Sequence, residues 1–317
     1  MGRFSIAALA VLAAAGSWLL LRQPQPAVWW SRWVSSHDVT GAWVTDDGPS
    51  GRGRSGVIRI ATIDLDGFDE EKLAQGPELS ILVRIMKRFD VVAMQNIVSP
   101  EPHVIPGIVD ALNGDGDAFG YVASERNGRV PPFQQFACVF RRDRVLLDPN
   151  GVYSVRDPDD LITFDPFVAS FRCQGVEPKN AFTVSLVNLL LDENPDESAR
   201  EVRALWSILG SVRRDGRGED DVILLGNLRR PAGAMDEGVP PDDAAWAIVE
   251  RPTTADGTGQ AINIVGSRSA TVEFTGRSGV VDLVREFNLS LDQAQQISRF
   301  LPVWAEYSIV EGQAPGL

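Results

Sequence analysis

The sequence predicts one large α/β domain, because short apolar runs alternate with helical patterns along most of the chain. The runs Val91–Met94, Val184–Leu191 and Val222–Leu225 are rich in Val, Ile and Leu, and charged or turn residues bound them. Runs of this kind are typical of strands buried on both faces. Strand and helix alternate over about 250 residues, which is the size of one large domain.

Two segments between these runs carry apolar residues at the 3.6-residue period of a helix. The first segment has four such residues on one face: Leu79, Leu82, Val83 and Met86. The second has six: Ala199, Val202, Leu205, Trp206, Leu209 and Val212. Both patterns predict helices that pack one face against a sheet.

Start signals place the beginnings of two helices. Asn194 is a cap residue, Pro195 lies in the first turn and Glu197 follows three residues after the cap. A further helix is predicted to begin at Ser290, with Gln293 in the capping-box position.

Four motifs follow one another in the order found in the endonuclease/exonuclease/phosphatase superfamily. They are Val57–Phe68, Phe89–Ile97, Asp221–Arg229 and Ser298–Val303. They resemble, in turn, the opening strand that ends in Trp-Asn, the strand that closes with Gln-Glu, the Gly-Asp-Phe-Asn segment and the closing Ser-Asp-His-x-Pro-Val. The resemblance runs from about Gly56 to Tyr307 and implies a four-layer α/β/β/α sandwich, in which helices flank two packed sheets.

The resemblance also implies a chemistry, the hydrolysis of phosphate esters with one or two divalent cations. In the family, an Asn and a Glu at strand ends hold the metal, and a carboxylate paired with a His forms the general base. Here Asp64 stands at the metal-binding Asn position and Asn96 at the metal-binding Glu position. The remaining site positions fall on Phe136 for a Tyr, Phe164 for an Arg, Leu190 for a His, Asn227 and Arg229 for the Asp and Asn of Gly-Asp-Phe-Asn, Ile262 for an orienting Asp, and Arg299 and Phe300 for the closing Asp-His.

Residues that serve the scaffold persist beside the altered site positions. They are Gln95, Gly226, Ser298, Pro302 and Val303. The chain holds only two histidines, His37 and His103, and neither falls in a motif that would supply the general base. Because packing constraints persist where chemical ones do not, we interpret the chain as a pseudoenzyme that acts by binding a ligand or partner.

Three other interpretations of the cleft and surface stay open. Asp64 and Asn96, with Asp66 nearby, could hold Mg²⁺ or Mn²⁺ in a divergent phosphodiesterase or phosphatase. Arg229 and Arg299 could make the cleft an anion site, or could simply form salt bridges with their neighbours. Finally, the domain could be a membrane-tethered module whose surface binds a partner protein.

The amino-terminal segment predicts a membrane anchor. Residues 4–21 carry no charge, Arg22 closes the run, and tryptophans follow at positions 29, 30 and 33. A cleaved signal peptide is the alternative, with Ala13–Gly16 as its small-residue stretch. Either interpretation places the domain outside the cytoplasm, in the periplasm or cell exterior, or at a membrane. The predicted organisation is an anchor at residues 1–22, a linker at 23–55, the domain at 56–310 and a tail at 311–317.

Charge and cysteine content bound the partners and the redox state. The net charge of −13 disfavours sequence-blind binding to nucleic acid. Cys138 and Cys173 lie near the ends of segments that the resemblance pairs as neighbouring strands. A disulfide between them and two buried thiols both stay open.

Overall fold

The computed structural model describes residues 56–157, 159–235 and 243–313, which all lie in a compact unit spanning Asp46–Leu317. The predicted anchor, the linker and His37 lie outside these residues. Within the described ranges, no helix is long and apolar enough to cross a membrane.

The described part of the chain forms twelve strands and six α-helices. The strands are β1 (Val57–Phe68), β2 (Val91–Ile97), β3 (Phe119–Ala123), β4 (Gln135–Arg141), β5 (Val145–Ser154), β6 (Phe167–Cys173), β7 (Thr183–Leu190), β8 (Val222–Asn227), β9 (Ala244–Trp246), β10 (Ile262–Ser267), β11 (Phe274–Val280) and β12 (Val303–Ser308). The helices are α1 (Glu70–Ala74), α2 (Gly76–Met86), α3 (Val104–Asn113), α4 (Pro195–Arg213), α5 (Leu283–Phe287) and α6 (Leu291–Ile297), with short 3₁₀ turns at Pro178–Asn180 and Ala232–Ala234.

The strands form two six-stranded sheets. The first has the order β11-β12-β1-β2-β4-β3 and the second has the order β5-β6-β7-β8-β10-β9. One apolar layer lies between the sheets, a second joins the first sheet to α2, α3 and α6, and a third joins the second sheet to α4. This arrangement confirms the predicted four-layer sandwich.

The predicted helix starts are confirmed, with one correction. Ser290 and Gln293 form the reciprocal capping box at the start of α6. The Asn194 side chain caps α4 by accepting a hydrogen bond from the N–H of Asp196. Glu197 does not complete a capping box, because the N–H of Asn194 already donates to Asp192. The Glu197 carboxylate lies instead 3.0 Å from Arg200 Nη2.

A polar bridge crosses the apolar layer between the sheets. The side-chain amide of Gln95 on β2 donates to Asn188 Oδ1 on β7 over 2.6 Å and to Thr62 Oγ1 over 2.9 Å. The Asn188 amide in turn donates to the carbonyls of Met94 and Ala137. All of these side chains are buried, and Gln95 pairs with Asp64 across β2 and β1, so the bridge ties the two sheets together next to Asp64.

The two cysteines correct the strand pairing that the resemblance implied. Cys138 lies on β4 and Cys173 on β6, which belong to different sheets. Both are free, buried thiols in the layer between the sheets. Burial raises the pKa of the Cys138 thiol to about 12, so this thiol is chemically unreactive.

Candidate functional site

The altered motif positions meet at the end of the sandwich where four strands terminate. The strands β1 and β2 run parallel, as do β7 and β8, so their carboxyl ends reach the same edge of each sheet. Leu190 pairs with Asn227, and Asn227 pairs with Ile262 on β10. The sequence-predicted positions of both sheets therefore line one cleft.

The floor of this cleft is a hydrogen bond between the two sheets. Asn227 at the end of β8 donates its side-chain amide to Asp64 Oδ2 on β1 over 2.6 Å. Asp64 Oδ1 accepts the backbone N–H of Asp66 over 2.7 Å. Asp64 is 1% exposed and Asn227 is 0% exposed. Both carboxylate oxygens of Asp64 are thus bonded to the protein itself.

Burial controls the charge of Asp64. Desolvation raises the pKa of this carboxyl above its ordinary value, and the hydrogen bonds from Asn227 and Asp66 oppose that effect without cancelling it. The positive charge of Arg229 also lowers the pKa of Asp64 by a smaller amount. The carboxylate that the family resemblance assigns to metal binding is consequently costly to ionise.

The closing motif is held against the irregular end of β1, between Asp64 and Phe68. Asp66 has a φ of 52° and accepts hydrogen bonds from Arg299 Nε over 2.8 Å and Arg299 Nη2 over 2.6 Å. Ser298 Oγ donates to the carbonyl of Asp64 over 2.7 Å. Burial raises the pKa of Asp66, but the bonds from Arg299 outweigh burial and leave the pKa lowered. Asp66 is therefore an ionised partner of Arg299.

Lys72 supplies a second positive charge to the same end of β1. Its ammonium group donates to the carbonyls of Leu65 over 3.0 Å and Asp66 over 2.9 Å, and it lies 3.4 Å from that of Ile297. Desolvation lowers the pKa of Lys72, while the charges of Asp66 and Asp64 oppose the shift. Lys72 therefore links the end of β1 to Ile297, the residue before the closing motif.

Arg229 also has partners within the protein. Its Nε donates to the carbonyl of Leu191 over 3.0 Å, and its Nη2 lies 3.1 Å from Glu193 Oε1. Its backbone N–H donates to Asn227 Oδ1, and its φ is 54°. Both candidate arginines thus form salt bridges with neighbours, although the side chain of Arg299 remains 59% exposed and that of Arg229 13%.

The remaining altered positions extend the apolar layer between the sheets to the cleft. Four of them belong to that layer, and the fifth packs against it: Phe136, Leu190, Ile262, Phe300 and then Phe164. The guanidinium carbons of Arg229 and Arg299 lie 5.6 and 5.7 Å from the centre of the Phe300 ring. Hydrocarbon therefore occupies the places where the resemblance implies hydroxyl, imidazole and carboxylate groups.

Asn96 and His103 stand apart from the Asp64–Asn227 pair. Asn96 is half-buried at a bulge of β2, with a φ of 63°, and its N–H donates to Gln134 Oε1 over 3.2 Å. Asp64 and Asn96 share no hydrogen bond in the described structure. His103 is exposed at the start of α3. Neither residue reaches Asp64 as a hydrogen-bond partner.

Sequence reasoning missed three residues that shape the site, Lys72, Gln134 and Glu193. Each acts on a residue that is distant in the sequence or lies in a loop, so no periodic pattern marks it. The sequence carries one signal for Lys72, because Asp64, Asp66 and Lys72 are charged residues that fall within nine positions of one another.

Replacing Asn227 by Asp tests whether the Asp64–Asn227 pair is a structural contact. The substitution would place two buried carboxyls at hydrogen-bond distance, so the folded state would hold a proton that the unfolded chain releases near pH 4. Above pH 4 the folded state of the variant therefore binds more protons than its unfolded chain. The free energy of unfolding should then fall as pH rises, by about 2–3 kcal/mol between pH 5 and pH 8. Urea unfolding at both values, with Asn227→Ala as control, measures this slope.

Adding Mg²⁺ to the Asn227→Asp variant tests whether positions 64 and 227 form a structural contact or a metal site. We expect 10 mM Mg²⁺ at pH 8, about tenfold above a millimolar affinity, to leave the Asn227→Asp variant unstable. Full recovery of stability with Mg²⁺ would show that the cleft accepts a cation and would contradict this assignment.

Comparisons with known proteins agree with the fold and motifs. No protein-family model matches the chain. Human deoxyribonuclease-1-like 2 is 23% identical over 274 residues, which cover 78% of this chain and 91% of that protein.

Two solved structures share the fold. Humanized D. rerio TDP2 superposes with a TM-score of 0.57 at 14% identity and covers 80% of this chain and 99% of its own. An endonuclease/exonuclease/phosphatase family protein from Bacteroides thetaiotaomicron gives a TM-score of 0.54 at 14% identity, covering 81% of this chain and 98% of its own. With two packed sheets and helices on both faces, the chain has the fold of these endonuclease/exonuclease/phosphatase structures, and its sequence is similar to that of deoxyribonuclease-1-like 2.

Proposed function

We propose that the protein is a non-hydrolytic member of the endonuclease/exonuclease/phosphatase superfamily, tethered by its amino-terminal segment, that binds an anionic ligand at the rim of its cleft. The observation that carries the proposal is the closed cleft floor. Asp64 is buried, both of its oxygens accept hydrogen bonds from the protein, and the altered positions Leu190, Ile262 and Phe300 belong to the apolar layer between the sheets.

The residues at the cleft do not fit a divalent cation. Magnesium and manganese require several oxygen donors, of which carboxylates are the strongest. Asp64 is committed to Asn227 and to the N–H of Asp66, and Asp66 is committed to Arg299. Among the described residues, both groups of three or more acidic side chains close enough to share a cation include Asp221 and lie at the opposite end of β8.

Among the described residues, the positions where the resemblance implies a general base hold no group that could activate water. Phe300 and Leu190 stand where the resemblance implies histidines, and neither side chain can accept a proton. Asp66 is the nearest ionised carboxylate to the closing motif, but its bonds with Arg299 lower its pKa and so make it a poor base. The geometry therefore favours binding over hydrolysis.

Two arginines at the cleft rim support anionic ligand binding. Arg299 gives Nε and Nη2 to Asp66, while its Nη1 has no hydrogen-bond partner among the described residues. Arg229 lies on the same Phe300 ring. Guanidinium groups bind phosphate and carboxylate oxygens through paired hydrogen bonds, so an anion at the rim can share Arg299 with Asp66.

A hydrolysis assay tests the non-catalytic assignment. We expect the full chain with 5 mM Mg²⁺ or Mn²⁺, about a saturating level for hydrolases of this chemistry, to cleave bis(p-nitrophenyl) phosphate and plasmid DNA no faster than its Asp64→Ala variant. Metal-dependent cleavage that disappears in this variant would support the divergent hydrolase that uses Asp64 and Asn96 instead.

Phosphate titration tests the arginine rim. We expect inorganic phosphate to bind the full chain, with Arg299→Gln weakening it by about tenfold through loss of a charge-assisted contact. Asp66→Asn should strengthen binding, because it releases Arg299 from its ion pair. Arg277→Gln is the matched control, since that arginine is 68% exposed on the edge strand β11. Equal affinities in the Arg299 and Arg277 variants would contradict the proposal, and a partner protein would become the better hypothesis.

Membrane fractionation tests the tether. We expect the full chain to resist extraction from membranes by alkaline carbonate, because residues 4–21 are uncharged and long enough to span. The double variant Leu9→Arg and Leu12→Arg should become extractable, since each central arginine opposes insertion by about 3 kcal/mol. Amino-terminal sequencing of the recovered protein distinguishes an uncleaved anchor from a signal peptide.

A further inference from the structure

Three carboxylates from distant parts of the sequence converge at the end of the sandwich opposite the cleft. Asp221 precedes β8, Glu273 precedes β11 and Glu311 follows β12. One carboxylate oxygen of each lies within 4.8 Å of the others. Because Asn227 at the cleft ends β8 and Asp221 precedes its start, the length of this strand, on the order of 20 Å, separates the two ends.

Two of these carboxylates are buried with an oxygen that has no partner. Asp221 is 1% exposed and Glu273 is 0% exposed. Asp221 Oδ1 and Glu273 Oε2 accept no hydrogen bond from any described residue, and the buried hydroxyl of Thr271 is also unpartnered. Buried polar atoms are almost always satisfied in folded proteins, so two orphaned carboxylate oxygens in one cluster point to a missing ligand.

The remaining contacts hold two of the three carboxylates in place. Glu273 Oε1 accepts the N–H of Gly312 over 2.6 Å. Glu311 Oε2 accepts the N–H of Thr183 over 3.1 Å, and the N–H of Glu311 donates to the carbonyl of Asn180 over 2.9 Å. The cluster is therefore built on backbone contacts from both sheets and does not depend on flexible side chains alone.

Electrostatics within the cluster disfavours three free negative charges. Burial, together with the nearby charges of Glu273, Glu311 and Glu219, raises the pKa of Asp221 to about 8. The pKa values of Glu273 and Glu311 are raised as well, again with burial as the largest cause. A bound cation would relieve this repulsion.

We propose that Asp221, Glu273 and Glu311 bind a hard divalent cation, and that calcium is the one their chemistry favours. All three donors are carboxylate oxygens, which hard cations prefer. Calcium bonds to oxygen at about 2.3–2.6 Å and tolerates irregular geometry, so oxygens up to nearly 5 Å apart can share one ion. Magnesium requires a more regular octahedron than three separate segments supply. Glu311 is exposed and leaves the site a path to solvent.

The bound ion would join the two sheets at this end. Asp221 belongs to the start of β8 in the second sheet, whereas Glu273 and Glu311 flank β11 and β12 of the first sheet. The site would thus act as a structural clamp, and it does not depend on what the cleft binds.

Calorimetric titration and thermal unfolding of the full chain test this site. We expect calcium to bind with submillimolar affinity and to raise Tm by about 3–8 °C at 10 mM, as mass action predicts for a protein of this size. Glu311→Gln should weaken calcium binding by about tenfold or more through loss of one ligand. Glu177→Gln is the matched control, because Glu177 is an exposed carboxylate beside the 3₁₀ turn that contacts Glu311.

The Asp221→Asn variant gives a second test, in which we expect the substitution itself to raise Tm when calcium is absent. Removing this buried carboxyl should raise Tm in the absence of calcium, because it removes repulsion within the cluster, and should abolish the further rise when calcium is added. A calcium response of equal size in wild type, Asp221→Asn and Glu311→Gln, or no response in wild type, would overturn the proposal.

Discussion

The apolar layer between the two sheets is the constraint on which the rest of the structure depends. Large side chains such as Phe136, Phe167 and Phe182 are fully buried in it, and burial of one such side chain contributes about 1.5–3 kcal/mol. Because side chains alternate between the faces of a strand, a shift of one residue would turn the whole apolar set outward. The register of every strand is therefore tied to this layer, and with it the position of each residue at the cleft.

Only a few polar contacts cross this layer, and they decide the character of the cleft. The Gln95–Asn188 bridge and the Asp64–Asn227 bond lie side by side at the cleft end, because Gln95 pairs with Asp64. Both contacts join buried polar groups within the protein, which stabilises the sandwich, while Gln95 Oε1 has no hydrogen-bond partner among the described residues. The Asp64 carboxylate at the cleft floor could bind a metal or accept hydrogen bonds from the protein, and in this structure it accepts hydrogen bonds from the protein.

The two ends of the sandwich have opposite chemistry. Arg229, Arg299 and Lys72 gather at the cleft end, whereas Asp221 and Glu273 are buried at the other. The rigid strand β8 carries Asn227 at one end and follows Asp221 at the other. A cation at the carboxylate end and an anion at the arginine end would each neutralise charges that the fold holds together, so the two proposed sites are physically independent but share one strand.

The sequence by itself determined several of the strands, the two principal helices, the capping box at Ser290 and the altered identity of the motif residues, because these depend on local periodicity and residue type. It also indicated that Arg229 and Arg299 lie at the cleft. Only the tertiary structure decided their partners, since Asp66 and Arg299 are 233 positions apart. The same holds for the separation of Cys138 and Cys173 into different sheets and for the convergence of Asp221, Glu273 and Glu311. Such contacts depend on strand order and on which ends of strands meet, and periodicity along the chain carries no information about either.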